Sequence, residues 1–182
     1  VGGLAGLKEA TAAKLVVRAE ARASFESGEA SDQDPQHGTL PGFGPVAVDQ
    51  LIRDGENIEL GPISMTAIAS PGHAPGGTSW TWRSCNEEIC YQFVYADSLG
   101  AIAGEQYRFS DHPEYVASFR ATIDTIGGLS ACDVIISPHP SQTAFFERLS
   151  GKAPLADPKG CSKYASDARV RLDERLAQER IP

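Results

Sequence analysis

The chain has 182 residues, of which 41% are hydrophobic and 22% charged, and its formal net charge is -8. That length suits one domain, or most of a larger one, and the apolar content is sufficient for a core. An acidic chain without a Lys/Arg stripe is poorly suited to a phosphate backbone, which argues against nucleic acid as a partner. No apolar run approaches the roughly 18 residues of a membrane span, so no membrane partner is expected.

The opening Val1-Gly2-Gly3-Leu4 has neither Met nor a leader, and it reads as an interior segment or a processed product. Leu4 to Ala13 is predicted as a short helix, Lys14 to Val17 as a buried strand, and Ala19 to Ser27 as a second helix ended by Gly28. From Glu29 to Pro45 the composition shifts to Ser, Asp, Gln, Pro and Gly, which predicts a long loop of the kind that often carries function. Val46 to Ile52 reads as a strand, Arg53 to Glu56 as a turn, and Asn57–Leu60 with Ile63–Ala69 as a hairpin around Gly61-Pro62. Thr78–Arg83 and Tyr91–Ala96 form a second hairpin with alternating aromatics.

Ala101 to His112 has no regular pattern. Pro113 to Ile126 is an amphipathic helix with Tyr115, Phe119 and Ile123 at helical spacing, ended by Gly127-Gly128. Asp133 to Ile136 reads as a fully buried strand, Gln142 to Leu149 as a short helix, and Ser162 to Ala177 as the final helix. Helices flanking a run of hairpin-connected strands define an α/β layer protein with an antiparallel or mixed sheet. No linker divides it, so residues 1–182 are read as a single domain.

The four cysteines divide into two candidate pairs. Cys85 and Cys90 bracket a polar hairpin tip that a disulfide could staple, and a bond between Cys132 and Cys161 would tie the last helix to the core. Such pairing suggests an oxidising compartment, whereas four reduced buried thiols are the alternative. A zinc knuckle is disfavoured because no C-x-x-C pair occurs.

Two histidines stand out. His73 lies in Ser70-Pro71-Gly72-His73-Ala74-Pro75-Gly76-Gly77, directly after a strand, and His139 lies in Ile135-Ile136-Ser137-Pro138-His139-Pro140 after another. Prolines and glycines stiffen both loops, so each imidazole is displayed at a strand end, which suits a metal ligand or an acid–base group. Each taken singly reads as an ordinary loop histidine, and it is the repetition of the pattern that argues for a role. Two imidazoles fall short of the three or four protein ligands that zinc needs, so the chain holds part of a site. Asp97 and Ser98 follow a strand and could orient a ligand or bind a carboxylate, although an Asx turn or helix cap is the ordinary reading there. His112 before Pro113 reads as structural, His37 as a solvated loop residue, and Glu87-Glu88 as a solvated tip. No G-x-S-x-G is present for serine hydrolysis, and Gly76-Gly77 is not followed by the residues of a phosphate loop.

Pro71-Gly72-His73-Ala74-Pro75-Gly76-Gly77-Thr78-Ser79-Trp80-Thr81-Trp82, Tyr95-Ala96-Asp97-Ser98-Leu99 and Cys132-Asp133-Val134-Ile135-Ile136-Ser137-Pro138-His139-Pro140 together resemble class B metallo-β-lactamases of the third subclass. Gly-His-x-Pro-Gly is common to the whole superfamily, whereas the Thr-Ser-Trp-Thr-Trp and Ser-Pro-His-Pro elements are narrower. The resemblance runs over nearly the whole chain. It implies an αβ/βα sandwich, incomplete at its N-terminal half, and a site for two Zn2+ ions. His73 would serve the first zinc and His139 the second. The family's other four ligands belong to a His-x-His-x-Asp-His motif that this sequence does not contain, and a segment like Val1-Gly2-Gly3 follows that motif in the family.

The resemblance further implies that Ser98 helps to hold a β-lactam carboxylate and that Gly100 stands where many relatives carry a hydroxyl. Gln36 matches a substrate-contacting Gln of some relatives, and Asp97 stands behind the ligands. No protein nucleophile is implied: the expected chemistry is hydrolysis of the β-lactam amide (penicillins, cephalosporins, carbapenems) by zinc-activated water, as part of antibiotic resistance. The expected setting is periplasmic or secreted, with a small-molecule substrate and a monomeric enzyme. Another superfamily hydrolase, such as a lactonase, is the alternative that the Trp-rich run and the disulfides argue against. An inactive fragment is the second alternative.

Overall fold

A computed structural model describes residues 2–39 and 41–180. Val1 of the opening segment and Leu40 of the predicted long loop lie outside the described residues.

The chain begins with helix α1 (Leu4–Thr11), strand β1 (Val16–Val17) and helix α2 (Ala19–Ser27). Gly28 ends α2 in the left-handed region at φ 81°, as its position after an Ala/Glu-rich stretch suggests. The predicted Val46–Ile52 strand is shorter than expected. Only β2 (Gln50–Leu51) is a strand, pairing in parallel with β1. Val46 and Ile52 are buried all the same, so their apolar pattern reports packing rather than ladder bonding.

The main sheet has five strands in the order β3 (Asn57–Leu60), β4 (Ile63–Ala69), β5 (Thr78–Cys85), β6 (Cys90–Tyr95) and β7 (Val134–Ile136). The first four pair antiparallel through the two predicted hairpins, and β7 joins β6 in parallel, so the sheet is mixed. A parallel partner needs a crossover, which here carries helix α3 (Pro113–Gly127). α3 and the last helix, α5 (Gly160–Gln178), pack on one face of the sheet.

Register divides the sheet into two faces. Ile68 opposes Ser79, and Val94 lies between Thr81 and Ile135. Ile68, Val94 and Ile135 form the core with Phe119, Ile123 and Ile126 of α3 and Tyr164, Ala168 and Leu172 of α5. The opposite face carries Met65, Trp80, Trp82, Phe93 and Tyr95, all partly exposed. Trp82 and Phe93 stack there with centroids 5.4 Å apart.

Both disulfides form. Cys85–Cys90 closes the β5–β6 hairpin, and Cys132–Cys161 joins the approach to β7 with the start of α5. The predicted helix over Gln142–Leu149 is two pieces. A 3-10 turn spans Pro140–Thr143, Ala144 adopts φ 49°, and α4 occupies Phe145–Leu149. Among the described residues no helix is long and apolar enough to cross a membrane.

Candidate active site

The loop between β4 and β5 presents His73. Its base is closed by Ser70 N donating to Gly77 O at 2.9 Å, and turns within it by Gly72 N and Gly77 N donating to Ala74 O. Two of its glycines are required by close approach. A Cβ on Gly72 would stand 2.3 Å from Phe119 of α3, and one on Gly76 would stand 2.4 Å from the Ala21 Cβ of α2. The loop is thus wedged between a helix on each side, which explains the density of small residues around the histidine.

The His73 ring is oriented by the chain that leaves β6. Its Nδ1 lies 2.9 Å from Gly100 O. A carbonyl can only accept, so Nδ1 carries the proton and Nε2 keeps its lone pair. Gln36 reaches over from the long loop: its Nε2 donates to His73 O at 3.2 Å and lies 3.4 Å from His73 Nε2.

Asp97 follows β6 and is mostly buried behind the histidine loop. Its carboxylate accepts from Ser98 N at 2.8 Å and from Thr78 N at 3.2 Å. Burial pushes its carboxyl above the ordinary value, while the Ser98 N–H, the neighbouring His73 imidazole and the Thr78 N–H pull in the opposite direction. Tyr95 lies nearby, and burial followed by the Asp97 charge raises its phenol.

A cleft of about 910 Å3 opens over these groups, lined among others by Gln36, His37, His73, Trp80, Tyr95 and Asp97. It therefore gathers Gln36, His73 and Asp97 of the residues expected from sequence. Ser98 and Gly100 do not line it. Ser98 is 4% exposed and its hydroxyl accepts from Gly100 N at 3.3 Å, so both act on the backbone that holds His73. His139 is exposed after β7 and does not line the cleft. Its backbone N donates to Ser137 Oγ at 3.2 Å, and that hydroxyl donates back to His139 O at 3.0 Å. His37 is exposed, with Nδ1 2.9 Å from Ala30 O, and His112 stacks on Tyr107.

Sequence reasoning had used Trp80 and Tyr95 only as strand and motif positions. Their register, Trp80 opposite Tyr95 on the face away from α3 and α5, is what makes them cleft walls. Arg18 was also missed. It donates to Gly77 O at 3.2 Å and pairs with Glu20 at 2.9 Å, bracing the histidine loop from the α2 side.

The donor set suits a metal only in part. The His73 imidazole has the hydrogen bond to a carbonyl on one nitrogen and the unprotonated second nitrogen that a zinc ligand requires, the latter facing the Gln36 amide at 3.4 Å. Among the described residues, however, no group of three His, Cys, Asp or Glu side chains is placed to hold a metal ion. These residues fit as a contribution to a zinc site and do not complete one.

No family model matches the chain, whereas solved structures match it closely. The metallo-β-lactamase MIM-1 from Novosphingobium pentaromativorans superposes with a TM-score of 0.94 at 42% identity, over 98% of this chain and 66% of that one. The metallo-β-lactamase SMB-1, solved with bound 2-mercaptoethanesulfonate, gives 0.92 at 37% identity over 98% and 71%. MEM-A1, a subclass B3 metallo-β-lactamase from a soil metagenome library, gives 0.93 at 36% identity over 98% and 70%. The chain belongs to the metallo-β-lactamase family, on its subclass B3 branch. It spans about two thirds of the length of these relatives.

Proposed function

We propose that this chain carries part of the active site of a zinc-dependent hydrolase that opens the β-lactam amide of penicillins, cephalosporins and carbapenems. The observation that carries the reading is the His73 imidazole at the cleft, with Nδ1 committed to Gly100 O and Nε2 turned to the Gln36 amide at 3.4 Å, a contact that a metal would replace. In this reading His73 and His139 are metal ligands, and the remaining donors lie in the roughly one third of the family length that the chain does not span.

Zinc, when bound, supplies Lewis-acid chemistry that acidifies water and polarises a carbonyl. The residues of this chain do the positioning. Gly100 O holds the His73 tautomer, Asp97 anchors the Thr78 amide at the end of the His73 loop and the Ser98 amide beyond β6, and Gln36 faces the cleft with an amide that can donate to substrate. Trp80 and Tyr95 offer an apolar wall, and Ser98 with Gly100 acts indirectly, by holding the backbone that carries the His73 partner. The two disulfides favour a periplasmic or secreted setting. We expect a monomeric enzyme whose partner is the small-molecule substrate.

The test is hydrolysis of nitrocefin and a carbapenem, with zinc content measured in parallel, on the protein at full family length. His73→Ala and His139→Ala are each expected to abolish turnover, and undiminished carbapenem hydrolysis by either variant counts against the assignment. The lack of a three-donor group among the described residues favours a corollary, that the 182-residue chain alone is inactive. Zinc-dependent turnover by that chain would overturn the corollary.

A further inference from the structure

Tyr164 lies on α5 and is 2% exposed, deep in the core. Its hydroxyl does two things at once. It donates to Asp97 O at 3.0 Å, and it accepts from Leu99 N at 3.3 Å. A phenol has both a donor and acceptor capacity, and both are used on one short stretch of backbone.

That stretch is where β6 has left the sheet. Its amides no longer pair with strand backbone: Asp97 N donates to Ser79 Oγ at 2.9 Å, Ser98 N to Asp97 Oδ1 at 2.8 Å and Gly100 N to Ser98 Oγ at 3.3 Å, which leaves Leu99 N, on a residue 0% exposed, to the Tyr164 hydroxyl. Buried backbone groups without partners are costly, and Tyr164 is the template that pairs Leu99 N and Asp97 O from outside the sheet. The template is itself rigid. Cys161, three residues before Tyr164, is bonded to Cys132, and a Cβ on Gly160 would stand 2.8 Å from Ile135 of β7. The phenol therefore sits at a fixed height above the sheet. One residue beyond Leu99, Gly100 O accepts the hydrogen bond from His73 Nδ1.

We propose that Tyr164 is a positioning residue: its hydroxyl fixes the Asp97–Gly100 segment so that the Gly100 carbonyl selects the Nδ1–H tautomer of His73. The proposal rests on the reading of His73 as a functional imidazole. The chain of contacts is short and contains no side chain from the cleft other than His73. Burial is the largest influence on the Tyr164 phenol and raises it, so the hydroxyl stays protonated and keeps its donor at neutral pH.

The experiment is long-range 1H–15N NMR of the imidazoles in the oxidised 182-residue chain, with the His73 signals assigned by their loss in His73→Gln. The unmodified chain is expected to give the single Nδ1–H pattern. Tyr164→Phe preserves the ring but removes the hydroxyl, and is expected to shift His73 to a mixture of tautomers. Ile126→Val, a truncation elsewhere in the same core, is expected to leave the pattern unchanged although it too lowers stability. If Tyr164→Phe lowers the melting temperature while the His73 pattern stays that of the unmodified chain, the role is structural only and the proposal fails. Should Tyr164→Phe not fold, 4-fluorophenylalanine at position 164 keeps the ring and nearly its volume but cannot donate to Asp97 O, and an unchanged His73 tautomer pattern overturns the proposal equally. A tautomer that depends on Tyr164 while His73→Ala leaves hydrolysis intact would uphold the positioning and remove the function assigned to His73.

Discussion

The two disulfides close loops of very different length, and that difference fixes how much each should contribute to stability. Cys132 and Cys161 are 29 residues apart, and Cys85 and Cys90 only 5. Loop-closure entropy removed from the unfolded chain gives about 3.6 kcal/mol for the longer link and about 2.1 kcal/mol for the shorter. Local structure widens the gap. Cys132 and Cys161 are 4% and 2% exposed, so replacing them also strips packing from the core. Cys85 and Cys90 are exposed at a tip already held by Asn86 N donating to Ile89 O at 2.9 Å and Ile89 N donating to Asn86 Oδ1 at 2.7 Å. The paired substitutions Cys132→Ala/Cys161→Ala and Cys85→Ala/Cys90→Ala should therefore differ by at least about 1.5 kcal/mol, or about 3–6 °C in melting temperature for a chain of this size. Scanning calorimetry in oxidising buffer reads this directly, with guanidinium titration as the check that each variant unfolds in one transition. If the hairpin-tip variant loses as much as the core variant, the entropic ranking is refuted.

Other changes test other parts of the packing. Arg171 Nε and Nη2 are buried and have no hydrogen-bond partner among the described residues. Arg171→Met should raise stability by about 1–3 kcal/mol, because it removes two buried donors that have no partner; a lower melting temperature would contradict this. The Asp157 carboxyl is lowered from its ordinary 3.8, foremost by the hydrogen bond from Lys163, with Arg148 also paired to it at 2.8 Å. A depressed folded-state value contributes stability above the unfolded value and loses it as pH falls through the folded one. Asp157→Asn should thus lower stability at neutral pH, and the difference should fade below about pH 4. A difference that grows in acid would reverse the assignment.

Much of the architecture was legible because it depends on local pattern. Alternating aromatics and turn residues marked β5 and β6, and helical spacing of Tyr115, Phe119 and Ile123 marked α3. Cysteine placement marked both disulfides, and the stiff Pro/Gly loops marked His73 and His139 as displayed groups. The errors fell where tertiary contacts outweigh pattern. The Val46–Ile52 segment looks like a strand because of its apolar residues, of which Val46 and Ile52 are buried, yet only two of its residues find a ladder partner. The helix after His139 breaks because Ala144 takes a left-handed conformation that no residue type there announces.

By itself, then, the amino-acid order determined the type of most elements, the cysteine pairs, the two histidine loops and the family they resemble. These follow from periodicity, turn chemistry and short motifs, each encoded within a few neighbouring positions. Only the tertiary structure decided that His73 faces the cleft with Gln36 and Asp97 while His139 does not line it, that Trp80 and Tyr95 form a wall, and that Tyr164 reaches the Asp97–Gly100 backbone. Asp97 and Tyr164 are 67 residues apart, and their meeting depends on the height at which α5 rests on the sheet. That height is a sum over core contacts and a disulfide, which no local stretch of the chain records.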